Sequence, residues 1–442
     1  MNRKKYDMDA DGSLELVMGG RVIPGHFPRP ADSKLFRQKG SILVEDSANK
    51  DLFRGIGMVQ GAIWSDLNRD GYPELILSLD WGAIQIYKNS QGHLSRWDPE
   101  VHWPDQTERL PLSFFKGWWR GVASGDLNAD GRLDLVIGNW GLNDQYTADL
   151  GHPVELYYDD FNGNGRTDLF ETHFSASMNA QVPVRNFNEL RQTIPQFQHF
   201  GSHQSFSKMK LIELLPHFSK QPESVAVTVL ESMMLINHGH YFEARRLPFE
   251  AQWSPAFSVH IGDANADGHE DVFLSQNFFA LPPGRARLDA GRGQWLKGDG
   301  TGNMQSMAGS ETGVLVYGEQ RGAALGDFDR DGRIDLAVSQ NAAQTKLFHN
   351  QSKKFGLRIQ LKGPLGNPNG YGAILQLETI KGMGPVREIH AGSGYGSNDG
   401  SIQVLGFNAE PKKLHVTWPG GKVTSHPVAP GTVEILIQSL HP

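Results

Sequence analysis

Six short acidic segments in this chain carry the residue types that bind a divalent cation. Each follows the pattern Asp-x-[Asp/Asn]-x-[Asp/Asn]-Gly-x-x-[Asp/Glu], which places oxygen-bearing side chains at positions 1, 3, 5 and 9. Side chains at positions 1, 3 and 5 can converge on one point, while glycine at position 6 permits the sharp turn. A backbone carbonyl at position 7 can join them. Because Ca²⁺ prefers oxygen ligands, the pattern predicts up to six calcium sites.

The candidate metal ligands are the side chains at positions 1, 3, 5 and 9 of each segment. They are Asp7, Asp9, Asp11 and Glu15 in loop 1; Asp66, Asn68, Asp70 and Glu74 in loop 2; Asp126, Asn128, Asp130 and Asp134 in loop 3; Asp160, Asn162, Asn164 and Asp168 in loop 4; Asp263, Asn265, Asp267 and Asp271 in loop 5; and Asp327, Asp329, Asp331 and Asp335 in loop 6. Ordinary turns use the same residue types without a metal. Carboxylates packed this closely nevertheless repel one another unless a cation neutralises them. Loop 4 has the fewest charged ligands, so the lowest calcium affinity is expected there.

The segments around the loops are typical of strands. Gly61-Ala-Ile-Trp-Ser precedes loop 2, and Leu75-Ile-Leu-Ser-Leu follows it. An EF-hand would instead need a helix on each side and an acid at position 12. Loops 1, 2 and 3 begin about 60 residues apart, which suits a four-stranded propeller blade. We therefore expect an all-β fold, with a β-propeller of six or seven blades over residues 1–354 and a small β-rich domain over residues 355–442.

The long gap between loops 4 and 5 predicts an insertion. Phe187-Asn-Glu-Leu-Arg and Ser207-Lys-Met-Lys-Leu-Ile-Glu-Leu-Leu have apolar residues at helical spacing. A helical excursion at about residues 185–220 is therefore expected within one blade. The β-rich segments Ser232–Asn237 and Tyr241–Ala244 follow it and are expected to complete the blade of loop 4.

Composition excludes several classes of protein. The 442 residues include no cysteine, which rules out disulfide scaffolds and thiol catalysis. A net charge of -7 argues against nucleic-acid binding, and no apolar run is long enough to cross a membrane. The basic start, Met1–Tyr6, lacks the apolar stretch of an export signal. We therefore expect a chain truncated at its N-terminus, with a possible upstream domain and without the first strand of its first blade.

Two other clusters have both a structural and a functional interpretation. His238-Gly-His240 is either a metal-binding pair or a hairpin turn, and the turn is favoured. Trp118-Trp119-Arg120 is able either to stack on a sugar or to fill the space between blades, and core packing is favoured. The 17 histidines show no metalloprotease or triad signature, so no catalytic residue is assigned.

The strand–loop–strand repeats resemble the FG-GAP/VCBS family. In the tail, Asn367-Pro-Asn-Gly-Tyr-Gly-Ala, Arg387-Glu-Ile-His-Ala-Gly-Ser-Gly-Tyr and Val416-Thr-Trp-Pro-Gly-Gly-Lys resemble the ASPIC/UnbV domain. The resemblance implies a calcium-binding propeller of the extracellular space or the bacterial cell surface, with the loop residues above as ligands. It implies a binding or adhesion function that presents propeller loops to a carbohydrate or protein partner. The alternative is a propeller lyase or dehydratase acting on carbohydrate.

Overall fold

The fold is all-β. In the computed structural model, the described part of the chain is residues 2–439 apart from 41, 105, 219, 283, 393 and 394. Strands dominate it, and the few helices are short. Among these residues, no helix is long and apolar enough to span a bilayer.

The elements follow one another in chain order. The strands are β1 (Asn2–Tyr6), β2 (Glu15–Gly19), β3 (Lys34–Lys39), β4 (Ile42–Glu45), β5 (Met58–Ser65), β6 (Glu74–Ala83), β7 (Gln85–Ser90), β8 (His93–Trp97), β9 (Glu100–His102), β10 (Leu110–Pro111), β11 (Lys116–Trp118), β12 (Val122–Gly125), β13 (Asp134–Ile137), β14 (Val154–Asp159), β15 (Asp168–Ser175), β16 (Ala180–Pro183), β17 (Glu223–Val227), β18 (Met233–Asn237), β19 (Tyr241–Arg246), β20 (Ala256–Gly262), β21 (Asp271–Gln276), β22 (Gln294–Gly298), β23 (Met304–Ser306), β24 (Glu319–Gly326), β25 (Asp335–Asn341), β26 (Ala343–Phe348), β27 (Leu357–Lys362), β28 (Ile374–Thr379), β29 (Gly382–Glu388), β30 (Gln403–Leu405), β31 (Pro411–Thr417), β32 (Val423–Pro427) and β33 (Glu434–Gln438). The α-helices are α1 (Phe187–Thr193), α2 (His203–Phe206), α3 (Leu211–Leu214) and α4 (Gly309–Thr312). Single 3₁₀ turns occupy Lys50–Phe53, Leu112–Phe114, Pro195–Phe200, Leu215–His217 and Phe249–Gln252.

Five sheets, numbered here in chain order, share one antiparallel building unit. Each starts with a first strand, an acidic loop and a second strand that pairs back on the first. Sheet 1 is β1–β4, sheet 2 is β5–β8 with β11, sheet 3 is β12, β13, β18 and β19 with β9 and β10, sheet 4 is β20–β23, and sheet 5 is β24–β26. Loops 1, 2, 3, 5 and 6 therefore lie at the same end of successive sheets.

The start of the chain corrects one expectation. β1 precedes loop 1 and pairs with β2 in antiparallel register, from Asn2 opposite Gly19 to Tyr6 opposite Glu15. Sheet 1 thus has its first strand, contrary to the expectation that the chain begins inside the loop. The sequence did not predict this strand, because the alternation of apolar and polar residues that indicates a strand is not visible in so short a basic segment.

The segment after loop 3 corrects a second expectation. β18 and β19 pair onto β13 and complete sheet 3, so residues 232–246 do not belong to loop 4. Loop 4 instead joins β14 to β15 in a separate sheet of β14–β17, which we call the inserted sheet. The helices α1, α2 and α3 pack their apolar side chains against this sheet around Phe170 and Phe197. The prediction from sequence order was wrong because the whole inserted sheet lies in the chain between β13 and β18 of sheet 3.

The hydrophobic core lies between adjacent sheets. Separate clusters of buried side chains fill the spaces between sheets 1 and 2, 2 and 3, 3 and 4, and 4 and 5. Every residue of β5 and of β21 is buried, since neighbouring sheets cover both of their faces. The first strands contact one another in the order β1, β5, β12, β20 and β24. These strands are therefore the innermost ones of a consecutive series of sheets.

Two further sheets form a C-terminal unit around its own core. One contains β30, β27 and β33, and the other contains β29, β28, β31 and β32. The end of β29 and the residues that follow it leave this unit and cross the innermost strands. We call residues 386–400, apart from 393 and 394, the axial segment.

The axial segment touches the first strand of each of the five numbered sheets. The Lys5 N–H of β1 donates to the Ala391 carbonyl (3.4 Å), His390 Nδ1 lies 3.1 Å from the Trp64 carbonyl of β5, and His390 Nε2 lies 3.2 Å from Ser124 Oγ of β12. Asp399 Oδ1 lies 2.8 Å from His260 Nδ1 of β20 and accepts the Leu325 N–H of β24 at 2.8 Å. The C-terminal unit thus contributes the strand-linking contacts at the centre of the sheet series.

Candidate metal centres

All six acidic loops fold in the same way. The carboxylate at position 1 accepts the N–H of the glycine at position 6, as Asp66 does from Gly71 at 2.9 Å and Asp160 from Gly165 at 2.8 Å. The carboxylate at position 9 accepts the N–H of position 2, as Glu74 does from Leu67 at 3.0 Å. The same two bonds recur in the other four loops. The repeated pattern therefore encodes one backbone shape.

Two backbone positions in each loop adopt left-handed conformations. Position 6 is always glycine, which reaches positive φ without a steric penalty. Position 4 also has positive φ, and in five loops it is not glycine: Ala10, Arg69, Ala129, Ala266 and Arg330 have φ between 53° and 64°. Such residues are uncommon in this region. The strain at position 4 is the feature that the sequence pattern alone did not indicate.

The loops bring carboxylate oxygens together. In loop 1, ligand atoms of Asp7, Asp9 and Glu15 lie within 4.8 Å of one another, and in loop 6 the same holds for Asp327, Asp329 and Asp335. Asp7 Oδ1 and Asp9 Oδ1 are buried and have no hydrogen-bond partner. Buried polar atoms without partners are rare and costly. Clustered, unsatisfied oxygens of this kind fit a hard divalent cation, so these acidic groups could hold a metal ion.

Loops 2, 3 and 5 have an asparagine at position 3. In loop 5, both polar side-chain atoms of Asn265 are buried without a partner. In loop 2, the Asn68 amide donates to Asp70 at 3.0 Å and to Glu74 at 3.1 Å, so positions 3, 5 and 9 converge there as well. Three of the four predicted ligand positions of loop 2 therefore meet within the loop.

Burial makes the negative charge of these loops unfavourable without a cation. It raises the pKa of Glu74, Asp134 and Asp271 to about 8, and neighbouring carboxylates of the same loops add to the effect. Burial likewise raises the pKa of Asp7 to about 7 and that of Glu15 to about 8. Removing water disfavours the charged form of an acid. A bound cation supplies the opposite effect, because it is the largest local charge in such a site.

Loop 4 differs from the other five in its surroundings. Asp160, Asn162 and Asn164 are exposed, and Asp168 is only partly buried. The closing acids of the other loops are all buried. Loop 4 therefore combines the fewest charged ligands with the most solvent, which is the combination least suited to tight cation binding.

Side chains from outside the acidic pattern contact the carboxylates of loops 1 and 6. Arg37 forms ion pairs with Asp9 and Asp46 and lies 3.8 Å from Glu15. In loop 6, His349 Nε2 lies 2.8 Å from Asp329 Oδ2 and forms a second candidate metal-binding group with Asp329 and Asp331. Neither Arg37 nor His349 belongs to the acidic pattern, and no signal in the sequence linked them to the loops.

The C-terminal unit covers the loop end of the numbered sheets. Its backbone or side chains touch loops 1, 2, 3, 5 and 6 but belong to a different part of the sequence. The contacts are Gly366 against Gly12, the Gly420 N–H to the Gly71 carbonyl (3.0 Å), the Val386 N–H to Asp126 Oδ2 (3.0 Å), Gly406 against Asp263, and Arg358 Nε to Asp327 Oδ2 (3.1 Å). A side chain at Gly406 would collide with the Asp263 carboxylate, since its Cβ would lie 1.9 Å from Oδ2. The C-terminal unit is therefore in direct contact with five of the six acidic loops.

The structure places His238-Gly-His240 in a turn, as its structural interpretation predicted, and divides Trp118-Trp119-Arg120 between two environments. His238 and His240 lie in the turn between β18 and β19, and His238 Nε2 is 3.1 Å from Glu243. Trp119 is buried in the core between sheets 2 and 3. Trp118 packs elsewhere, in a separate aromatic cluster with Trp81, Trp140 and Tyr146.

Comparison with known proteins agrees with the loop geometry and with the tail. Residues 66–137, which contain loops 2 and 3 and the strands β6 to β13, match the FG-GAP-like repeat model. Residues 363–439 match the ASPIC and UnbV model. The chain carries an FG-GAP-like repeat followed by an ASPIC and UnbV domain. The ASPIC and UnbV domain accounts for most of the C-terminal unit, including four of its five contacts with the loops.

The similar curated proteins share part of this arrangement. Cartilage acidic protein 1 of Xenopus tropicalis is 26% identical over 208 residues, which is 43% of this chain and 29% of that protein. The protein of the same name from Homo sapiens is 31% identical over 131 residues, or 28% of this chain and 20% of that protein. The matches thus span less than a third of the relatives' length. Among solved structures, the V. cholerae biofilm matrix protein Bap1 aligns with 96% of this chain and 58% of its own, at a TM-score of 0.26 and 10% identity.

Proposed function

We propose that this protein is a calcium-stabilised binding or adhesion protein of the extracellular space or cell surface. The observation that carries the proposal is the sixfold repetition of one acidic loop with the same two backbone-to-carboxylate hydrogen bonds. The FG-GAP-like repeat, the ASPIC and UnbV domain and the partial likeness to cartilage acidic protein 1 support it. In this proposal the numbered sheets are blades of a propeller, and calcium fixes the blade loops. The blade connections then present a surface to a carbohydrate or protein partner.

Oxygen chemistry and charge both favour calcium in this role. Each loop offers carboxylate and carbonyl oxygens in a short, flexible turn, which suits the irregular coordination of Ca²⁺ better than the strict octahedron of Mg²⁺. The chain's own residues hold the loop shape through the glycine and position 2 N–H groups. A cation would add the neutralisation that the buried acids lack.

Calorimetric titration of chelator-stripped protein with CaCl₂ tests the proposal. We expect several binding events, with the weakest one assigned to loop 4. Titration with MgCl₂ is the matched control and should give much weaker binding. Absence of any calcium binding would reduce the loops to ordinary turns and would contradict the proposed function.

Two matched substitutions distinguish the calcium site proposed in loop 2 from the weaker one proposed in loop 4. Asp66→Asn in loop 2 is expected to remove one tight calcium site, whereas Asp160→Asn in loop 4 should alter only the weakest event. At a free calcium concentration about 100 times the dissociation constant, losing a site costs about 2.7 kcal/mol of stability. Asp66→Asn should therefore lower the melting temperature in calcium much more than Asp160→Asn does.

The same pair measured in EDTA provides the control. Burial raises the pKa of Asp66, so its charge is unfavourable when no cation is bound. In EDTA the melting temperature of Asp66→Asn should approach that of the parent protein. An equally large deficit with and without calcium would show that Asp66 acts only through its hydrogen bonds to the loop backbone.

A further inference from the structure

A cleft of about 510 Å³ opens at the end of the sheets opposite the acidic loops. Asp80 and Trp81 line it near the end of β6, and Trp118 and Arg120 line it just before β12. The strands run from this end towards loops 2 and 3, so the cleft and the loops lie at opposite ends of the same strands. Sheet 1, the inserted sheet and the connection after β21 supply its other walls. Its volume is in the range of small-ligand sites.

Aromatic rings form one wall of the cleft. Trp118 lies at the centre, with ring centroids 5.1 Å from Trp81, 5.2 Å from Trp140 and 5.1 Å from Tyr146, all edge to face. Trp81 has φ of 55°, which is a strained conformation for a bulky residue. Strain of this kind persists only where the surroundings impose it, and it concentrates at functional sites.

Buried polar groups on the same wall are incompletely satisfied. Asp80 Oδ2 receives Gln60 Nε2 at 3.0 Å and lies 3.2 Å from Arg120 and 3.4 Å from Arg21, whereas Asp80 Oδ1 has no partner. Trp118 Nε1 and Arg120 Nε also lack partners. Asp80 and Trp118 are each 5% exposed and Arg120 is 8% exposed. A buried polar atom without a partner destabilises the fold. A ligand that donates to the carboxylate and accepts from the indole or guanidinium would remove these costs.

A hydrogen-bonded chain holds Trp140 and Tyr146 of the aromatic wall and the neighbouring rim at Arg285 in place. Trp140 Nε1 donates to Asp144 Oδ2 at 2.7 Å, and Arg285 Nη2 lies 2.5 Å from Asp144 Oδ1. Arg285 Nη1 also donates to the Tyr146 hydroxyl at 3.3 Å, and this hydroxyl donates to Glu171 at 3.0 Å. Side chains fixed in this way lose little entropy when a ligand binds.

The charges of the cleft select among ligand classes. Its lining contains the arginines Arg21, Arg120, Arg185 and Arg285 and the acids Asp80, Glu171 and Glu189, so arginines outnumber acids by one among the lining residues, although Asp144 just outside the lining pairs with Arg285. The guanidinium groups of Arg120 and Arg285 already lie over the rings of Trp140 and Tyr146, at 5.7 Å and 5.1 Å. A cationic ligand is therefore disfavoured. An inorganic anion is a poor match as well, because it has no hydrogen to donate to Asp80.

We propose that this cleft binds an acidic carbohydrate, a uronic-acid oligosaccharide, through its aromatic wall and its arginines. Sugar hydroxyls both donate and accept, which matches the unsatisfied carboxylate and N–H groups, and the ring carbons pack against tryptophan. The exposed guanidinium of Arg21 and the rim guanidinium of Arg285 meet the sugar carboxylate. This inference rests on the binding function proposed above and assigns it a site and a ligand class.

Calorimetry with the calcium-loaded full chain tests the site. The probes are a hexamer of galacturonic acid and a glucose hexamer as the neutral control. We expect binding of the acidic hexamer and at least about tenfold weaker binding of the neutral one. Arg21→Gln and Arg285→Gln should each weaken binding of the acidic hexamer by about tenfold or more. Arg246→Gln, which alters an arginine ion-paired to Glu231 outside the cleft, should leave binding unchanged.

The possible failures are distinguishable. Melting temperatures of the three variants in calcium show whether each one is folded. Binding that survives both cleft substitutions overturns the site but leaves carbohydrate binding elsewhere on the protein intact. Equal binding of both hexamers, or no binding of either, overturns the ligand class. Calcium titration of the same sample tests the proposed calcium binding independently of the sugar result.

Discussion

Excess EDTA is expected to lower the melting temperature of this protein by roughly 10 °C or more. Each site held at about 100 times its dissociation constant contributes about 2.7 kcal/mol. Five loops lie within the numbered sheets, and the C-terminal unit touches each of them. Removing calcium would leave buried carboxylates such as Glu74 and Asp134 uncompensated at both the loops and this interface. Differential scanning calorimetry at several calcium concentrations measures the shift.

Restoring free calcium above the EDTA concentration should return the original melting curve. Added MgCl₂ should restore little of it, which separates specific binding from ionic strength. A melting temperature that does not change with EDTA would contradict the proposed role of calcium in the fold. A change in melting temperature confined to a small unfolding transition, separate from the main one, would indicate that calcium stabilises the inserted sheet alone.

Arg387→Met is expected to destabilise the protein by about 3–5 kcal/mol. Arg387 donates to both carboxylate oxygens of Glu270, at 2.9 Å and 2.6 Å, and its third bond goes to the Val404 carbonyl at 2.7 Å. The two side chains are 9% and 1% exposed, and they join the axial segment to loop 5 of sheet 4. Removing the arginine would leave the Glu270 charge buried and unpaired, which costs far more than losing an exposed pair. Urea unfolding in calcium-containing buffer gives the free energy.

A double-mutant cycle tests the physical reason. Replacing both residues, as Arg387→Met with Glu270→Met, should recover most of the lost stability because no buried charge remains. Arg54→Met removes one partner of the exposed Arg54–Asp51 pair and should change stability by less than about 0.5 kcal/mol. If the double variant were no more stable than Arg387→Met, the loss would come from packing and not from the unpaired carboxylate.

The local features of the fold were predictable from the sequence because they repeat. An Asp-x-[Asp/Asn]-x-[Asp/Asn]-Gly pattern dictates its own turn, and the apolar runs beside it are long enough to mark strands. The all-β class and the acidic groups able to hold a metal therefore followed directly. The FG-GAP-like and ASPIC and UnbV resemblances rested on contiguous motifs such as Val416-Thr-Trp-Pro-Gly-Gly-Lys and are also confirmed.

The parts that depend on distant residues were not predictable. The pairing of β13 with β18 passes over an entire inserted sheet, which local periodicity cannot reveal. The Arg387–Glu270 pair and the ion pairs of Arg37 join residues whose types occur everywhere on protein surfaces. The cleft draws its residues from several sheets, so no single segment carries its signature. The motif Trp118-Trp119-Arg120 was a local indication of the cleft, but its residues have different roles. Trp119 packs in the core, and Trp118 lines the cleft.

The axial segment also has a consequence for biosynthesis. The Tyr6 hydroxyl lies 2.6 Å from the Glu388 carboxylate, although 382 positions separate these residues in the chain. Contacts between residues this far apart in the sequence slow folding, because the entropy of closing a long loop is lost before the contacts stabilise the fold. The innermost strands of the sheets therefore stay without their central partner until the ribosome has made the axial segment. We expect the nascent chain to depend on chaperones until its C-terminal unit emerges, unlike domains that fold as they are synthesised.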